Sequence, residues 1–317
     1  MFTREAAAVI VTYNPDIGVF GQLLTALDTQ CHAVIVDNGS TPDVLEAIDA
    51  LLERHGHAEL IRCGQNLGIA HAQNRAIRSV LDNHPAVRLV LLLDHDSIPE
   101  AGMIATLMRT HDTLTAAGHR VAATGPVLYD PRDGSLLKLH RRRLFYWGKI
   151  RPEDVDPGRP AVAVDNLNSS GTLVSLEAYR DIGGLDEQLF IDHVETDWCF
   201  RARAAGYSLY ATTEARLTHL MGDDICSYWF FGRKFMPYRS PARHYYLARN
   251  SMLLQKRGHV PLAWKFSNLL KLCFTYLYFG WYHPDRAMHR RQIGRGIRDG
   301  LKGVTGKSVP NPQEQTT

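Results

Sequence analysis

Val90–Ser97 reads VLLLDHDS, an apolar run that stops at two aspartates one residue apart, Asp94 and Asp96. Such a run fits a strand buried on both faces of a parallel sheet. In open α/β sheets, ligands sit just outside the carboxyl ends of the strands. Two carboxylates at that edge repel each other unless a cation lies between them. A hard divalent cation held by oxygen ligands is suited to gripping a diphosphate. The tripeptide is common, however, and alone it fits an N-cap or a surface turn equally well.

Outward from this stretch, the first hundred residues alternate between strand and helix patterns. Strands are expected at Ala6–Thr12, Ala33–Val36, Glu59–Arg62 and Val87–Leu93, with helices at Val19–Leu27, Val44–Arg54 and Ile69–Leu81. Alternation of this kind implies an α/β fold, with a mostly parallel, Rossmann-like central sheet, right-handed crossovers and flanking helices. A helix from Pro99 to about Ala117 and a strand at Val121–Leu128 follow. Asp130–Pro160, rich in Arg, Pro, Gly and Asp, reads as loops and short hairpins over a cleft. Val162–Val174 contains Asn168-Ser169-Ser170-Gly171, Glu195–Ala205 is helical and Ser208–Leu220 is extended. Near Asp223 the composition turns aromatic and basic. The expected division is therefore residues 1–225, with a nucleotide half (1–97) and an acceptor half (98–225), followed by a helical extension over 226–317.

Composition narrows the function. A formal charge of +3 over 317 residues is too small to argue for nucleic acid. Five cysteines, Cys31, Cys63, Cys199, Cys226 and Cys273, have neither metal spacing nor a paired framework. They suit a reducing, cytoplasmic compartment. The N-terminus carries no evident signal peptide, and no apolar run reaches the length of about 20 residues that spans a bilayer.

Several polar residues fall at strand ends. Thr12-Tyr13-Asn14 follow the first strand, Asp37-Asn38 the second and Asp94-His95-Asp96 the fourth. One sheet edge would gather them. Asp37 could accept the imide N–H of a pyrimidine, and Tyr13 could stack on the same ring. Asn66 and Asn74 flank a glycine turn leading into a helix, a place to meet ribose or phosphate. Turn chemistry explains each residue singly; their convergence on one edge is what favours a site. Downstream, Asp192, His193, Glu195 and Asp197 open a helix that carries Arg201 and Arg203. Acids at a helix start are stabilised by its dipole, but a carboxylate facing a cleft could also take a proton from a sugar hydroxyl. His219 could complete the coordination of Mg²⁺ or Mn²⁺ held by Asp96, or be an ordinary packed histidine.

Taken in order, VIVTYN, VIVDNGS, NLGIAHAQNRAI, LLLDHDS and FIDHVETDWCFRARAAGY resemble the family 2 inverting glycosyltransferases of the GT-A fold. Within that family the resemblance is to bacterial rhamnosyltransferases of O-antigen and related surface polysaccharides. The match runs from about Ala7 to Asp223. The resemblance implies that Thr12, Tyr13, Asn14, Asp37 and Asn38 hold the pyrimidine nucleoside, and that Asn66 and Gly68 line the nucleotide pocket. It implies that Asp94 contacts ribose or metal, and that Asp96 and His219 ligate the cation. The base lies two residues before the acid of the D-W-C motif and so falls on Glu195. The family usually has aspartate there, which leaves Asp192 and Asp197 as rivals. The implied donor is dTDP-L-rhamnose and the implied acceptor a polysaccharide or lipid-linked glycan. A UDP-hexose or UDP-galactofuranose would fit nearly the same residues.

Two other classes fit the residues less well. A nucleotidyltransferase would want a glycine-rich, Lys- or Arg-bearing phosphate loop after the first strand, where this chain has Tyr13-Asn14-Pro15-Asp16. A non-catalytic nucleotide-sugar binder would not need a full set of metal ligands and a base. In the tail, Arg249 could close over a diphosphate or be a helix surface charge. Pro261–Tyr282 is either a core helix or a helix lying in a membrane interface with Trp and Tyr at headgroup depth. Seven Lys or Arg residues lie between Arg286 and Lys307, and they favour peripheral contact with anionic lipid at the inner face of the cell membrane. Disorder is expected from about Ser308.

Overall fold

Period-2 and period-3.6 patterns resolve cleanly in the computed structural model, which describes residues 2–132, 134–143, 146–219, 224–229 and 233–308. The first half runs β1 (Thr3–Thr12), α1 (Ile17–Leu27), β2 (Cys31–Asp37), α2 (Pro42–Leu52), β3 (Ala58–Arg62), α3 (Ile69–Asn83) and β4 (Leu89–Asp94). Helix α1 starts two residues before the expected Val19 because Asp16 caps it, its Oδ1 accepting from the Val19 N–H at 2.9 Å. Then come β5 (Ile98–Pro99), α4 (Met103–Ala116), β6 (Val121–Asp130), β7 (Ser135–Leu136), and β8 (Leu139–Arg142) with β9 (Trp147–Ile150). The chain continues through β10 (Ala161–Val164), β11 (Leu173–Ser175), α5 (Leu176–Ile182), α6 (Val194–Ala204) and β12 (Ser208–Thr218). A hairpin of β13 (Asp224–Trp229) and β14 (Arg233–Tyr238) leads to α7 (Pro241–Gln255), α8 (Leu262–Leu277) and α9 (Arg286–Lys302).

The main sheet has the order β10-β12-β6-β11-β4-β1-β2-β3. Strands β3, β2, β1 and β4 are parallel, β11 runs antiparallel between β4 and β6, and β12 is parallel to β6. The stretch read as one segment, Val162–Val174, is two strands on opposite sides of β6, and the turn between them delivers Ser169 and Ser170 to the cleft. One face of the sheet packs on α3 and α6 through Val9, Val34, Leu92, Ile77, Val80 and Phe200. The other packs on α1 and α4 through Ile10, Ile35, Leu91, Phe20, Leu24 and Leu107. Leu253, Leu254, Val260 and Trp264 of the C-terminal region belong to the first of these cores, so α7 and the start of α8 are built onto the sheet domain. Helices α7 and α9 lie so close that a Cβ on Gly300 would overlap the Arg249 carbonyl. No helix among the described residues is long and apolar enough to cross a membrane.

Candidate active site

Register brings the polar strand ends together. Thr12 pairs with Asp37 across β1 and β2, and Val11 pairs with Asp94 across β1 and β4. The sheet thus places Tyr13, Asp37 and the Asp94-His95-Asp96 tripeptide at one carboxyl edge. Strand β12 ends beside them, and its last residue is followed by His219, whose backbone N–H donates to Tyr129 O at 3.0 Å.

Asp94, Asp96 and His219 each offer a ligand atom within 4.8 Å of the others. His219 Nε2 is 3.9 Å from Asp94 Oδ2, and Nδ1 is 3.7 Å from Asp96 Oδ1. A relay fixes the imidazole: the Asp94 N–H donates to Ser170 Oγ (3.1 Å), Ser170 donates to Ser97 Oγ (2.6 Å), and Ser97 Oγ meets His219 Nδ1 at 2.7 Å. With Nδ1–H donating to Ser97, Nε2 keeps its lone pair for a cation, the usual way an outer partner sets a ligand histidine. Burial pushes the Asp94 carboxyl up, His219 opposes that and Asp96 adds to it, although a third of the side chain still meets solvent. Two oxygen donors and one imidazole, partly open to water, fit Mg²⁺ or Mn²⁺.

The three acids around α6 have separate environments. Asp197 has no exposed surface and is gripped by Arg201 Nε (2.9 Å), Arg257 NH1 (2.5 Å) and His259 Nε2 (2.8 Å). Burial would raise its pKa, but the two arginines outweigh burial and lower it. Asp192 pairs with Arg239 NH1 (2.8 Å) and with Arg243 Nε (3.0 Å) and NH2 (2.9 Å). Against burial, these charges hold it at about 2. Both residues were rivals for the base, and this geometry corrects that expectation: a carboxylate saturated by arginines is a weak proton acceptor. No Lys, Arg or His among the described residues forms an ion pair with Glu195. Burial pushes its carboxyl up and the charges of Asp192 and Asp94 add to that, while its own backbone N–H and the Arg239 charge oppose it without reversing it. It lines a small, mostly apolar cavity with Ile77, Leu92, Leu167, Ser169 and Trp198.

The backbone ahead of Glu195 is strained. Phe190, Asp192 and His193 have φ of 61°, 65° and 63°, left-handed values that cost non-glycine residues about 1–3 kcal/mol each. Helix α7 holds this loop in place. Asn250 Nδ2 donates to Leu189, Ile191 and Asp192 carbonyls at 2.9, 2.8 and 2.8 Å, and Arg249 NH2 donates to Leu189 O at 2.9 Å. Gly68, with φ +93°, lets the start of α3 press on Phe190, where a Cβ would overlap the ring and carbonyl.

Other expected residues have structural occupations. Asp37 is fully buried; its carboxylate accepts from Thr12 Oγ1 (3.0 Å), Ser40 Oγ (2.5 Å) and the Gly39 and Ser40 N–H groups (3.0 Å each). These bonds fix the turn that follows β2. Asn74, expected near ribose, is buried: its amide donates to Leu185 O and Glu187 Oε1 and accepts from Tyr179 OH and the Leu185 N–H. Arg249, expected at a diphosphate or on the surface, is fully buried beneath Tyr246 and also donates to Gly306 O. Asn14 and Asn38 close turns, Asn14 Oδ1 accepting from the Thr41 N–H at 2.9 Å and Asn38 Oδ1 from the Leu67 N–H at 2.9 Å. Asn66 Oδ1 accepts from Asn38 Nδ2 (3.2 Å) and the Gly68 N–H (3.1 Å). Tyr13 leaves 47% of its surface exposed at the cleft mouth, free to stack.

Sequence reasoning gave no chemistry to Ser97, Ser170, Arg239 or Arg243, and Lys307, expected at anionic lipid, instead donates from Nζ to Asn66 O at 3.1 Å. Ser97 and Ser170 lay inside stretches already singled out. The two arginines carried no signal without the fold.

Comparison with known proteins agrees with this geometry. The family model described as glycosyl transferase family 2 matches residues 7–159. The dTDP-rhamnosyl transferase RfbF of Shigella flexneri is 32% identical over 309 residues, covering 94% of this chain and 96% of that protein. The chain therefore belongs to glycosyltransferase family 2. An N-acetylglucosaminyl-diphospho-decaprenol L-rhamnosyltransferase of Mycobacterium tuberculosis is 27% identical over 68% of this chain and 76% of its own length. Among solved structures, the mannosyltransferase PcManGT of Pyrobaculum calidifontis, in complex with GDP-Man and Mn²⁺, superposes with TM-score 0.54 at 15% identity. It covers 96% of this chain and 76% of that one. GalNAc-T7, solved with UDP, GalNAc and Mn²⁺, gives TM-score 0.53 at 12% identity over 94% of this chain. The chain spans 56% of the length of that GalNAc-T7 structure. These likenesses establish the GT-A fold.

Proposed function

We propose that the protein transfers L-rhamnose from dTDP-L-rhamnose, with inversion, to a lipid-linked glycan diphosphate or a growing polysaccharide at the cytoplasmic face of the membrane. The observation that carries this reading is the metal-ligand cluster at the carboxyl edge of the sheet together with Glu195, which has no ion-pair partner among the described residues and is near enough to Asp94 to feel its charge. The full-length likeness to a rhamnosyl transferase supports the sugar. Asp94, Asp96 and His219 would hold a Mg²⁺ or Mn²⁺ ion, which when bound supplies neutralisation of charge on the nucleoside diphosphate. Tyr13 stacks on the thymine from the exposed rim. Asn38 and Asn66 hold the turn that shapes the nucleotide pocket, with Gly68 giving the close approach. Glu195 takes the proton of the acceptor hydroxyl as oxygen attacks the anomeric carbon from the side opposite the diphosphate. Its raised pKa suits a base that must accept a proton near neutral pH.

Membrane contact is part of the proposal. Helix α8 buries Trp264, Asn268, Leu272 and Thr275 and turns Leu262, Phe266, Leu270, Phe274 and Leu277 to solvent, with Trp281 and Tyr282 beyond. The Arg290 guanidinium lies 5.0 Å from the Trp281 ring centre. An apolar stripe beside cations fits an anionic lipid surface.

A donor panel tests the chemistry. Transfer from dTDP-L-rhamnose, lost with chelator and restored by Mn²⁺ or Mg²⁺, is expected; turnover confined to UDP-sugars would replace the assigned donor. Co-sedimentation with phosphatidylglycerol vesicles tests the surface: binding should fall at least tenfold in Phe266→Glu/Phe274→Glu. Equal pelleting of wild type and variant would remove α8 from the account.

A further inference from the structure

The opposite end of the sheet carries a second cluster of ligating side chains, which the transferase chemistry does not use. His32 is the second residue of β2, Glu59 the second of β3, and His84 directly follows α3. Val34, Val36 and Ile61 point toward α3, where they pack with Ala76, Ile77 and Val80. Strand alternation puts His32 and Glu59 on that same face. Helix α3 covers the face and ends over it, which brings His84 down to them. The His32 and His84 ring centres are 4.5 Å apart, and His84 Nε2 is 3.4 Å from Glu59 Oε1. One ligand atom from each of the three lies within 4.8 Å of the others. His32 Nε2 is buried and, among the described residues, has no hydrogen-bond partner. Leaving such an atom unpaired is costly, and a bound cation would relieve it. Ser79 Oγ donates to Glu59 Oε1 at 3.4 Å and steadies the carboxylate. The last carbonyls of α3 add partial negative charge at this end.

We propose that His32, Glu59 and His84 form a second divalent-metal site, of two imidazoles and one carboxylate, that binds Zn²⁺ and clips β2, β3 and the end of α3 together. The donor set is the one zinc takes with nitrogen and oxygen ligands, and it differs from the harder carboxylate-rich cluster at Asp94 and Asp96. His32 and Asp37 are five residues apart along β2, about 16 Å, so the two sites occupy opposite ends of one strand. Three protein ligands leave one position for water, and the site lies away from the donor and acceptor.

Zinc titration of the full-length protein against a chromophoric chelator tests this, using the Asp96→Asn/His219→Gln variant so that the cleft site is silent. That variant should retain one tight zinc equivalent, and Zn²⁺ should raise its Tm by mass action. Adding His84→Gln or Glu59→Gln should weaken zinc at least tenfold and abolish the Tm shift, while circular dichroism without metal stays unchanged. His84 and Glu59 are part-exposed, so these two changes carry the test even where His32→Gln folds poorly. No zinc equivalent in the Asp96→Asn/His219→Gln protein would overturn the site. So would zinc binding that both added substitutions leave unchanged.

Discussion

Two regions of this molecule use the same residue types in opposite ways. At the carboxyl edge of the sheet, Asp94, Asp96 and Glu195 stand without arginine partners, and burial and mutual repulsion raise Asp94 and Glu195. Where α6 meets α7, Asp192, Asp197 and Asp186 are saturated by Arg239, Arg243, Arg201 and Arg257. Glu195 and Asp197 are two residues apart on one helix, yet one faces a cleft and the other anchors a network. A carboxylate kept away from cations retains the capacity to bind a proton or a metal. One that is paired has spent that capacity on holding the fold.

The sharpest way to break this comparison is to remove a cleft carboxylate. Asp96→Ala should lower kcat/KM by about 10³-fold or more, the worth of several kcal/mol of charge stabilisation, and Glu195→Gln by about 10²–10⁴-fold. Circular dichroism and Tm should hold in both; activity retained in either variant would overturn its assignment. The opposite outcome is expected of Asp197→Ala. Chemical denaturation should show a loss of up to about 3–5 kcal/mol, because Arg201, Arg257 and His259 lose the buried carboxylate they share, although Arg257 keeps Asp186. A stable Asp197→Ala protein with abolished turnover would reverse the roles drawn here.

The pH profile sharpens the same contrast. Glu195 is raised, so it stays protonated at pH values where an ordinary glutamate is ionised. Activity should therefore fall as pH drops through that raised value, with an acid limb in kcat/KM above the ordinary glutamate range. Asp197 is lowered. Its contribution to stability is present above the unfolded-state pKa and is lost as pH falls through the lower folded value. The stability gap between wild type and Asp197→Asn should thus close in acid. The smallest effect is expected at the rim: Tyr13→Ala should raise donor KM about tenfold, near the lower end of the about 1–3 kcal/mol of a base–aromatic stack, with kcat unchanged.

Much of the fold was legible because it rests on local patterning. The alternation of Ala6–Thr12, Ala33–Val36, Glu59–Arg62 and Val87–Leu93 with helical stretches needed only periodicity. It assigned no element to Val162–Val174, which the structure divides into β10 and β11 around a polar turn. Within the site, Asp94, Asp96 and His219 were legible from strand-end position, and they converge. What the sequence did not show was the internal hydrogen bonding of Asp37, Asn74 and Arg249, whose partners come from other elements of the fold. Expectations on the tail from Ser308 meet the structure only at Ser308 itself, whose N–H donates to Tyr246 OH at 2.9 Å, the remainder lying outside the described residues.

Sequence by itself determined which residues end strands and open helices, because alternation and capping are set within a few neighbours along the chain. Only tertiary structure decided which acids stay unpaired. Arg201 reaches Asp197 from one turn along the same helix, but Arg239 and Arg243 on Asp192 and Arg257 on Asp197 arrive from α7 and its flanks some fifty to sixty residues later. The histidine that completes the metal cluster comes from the far end of β12. A pKa depends on burial and on charges within a few ångströms, and no local pattern encodes those distances.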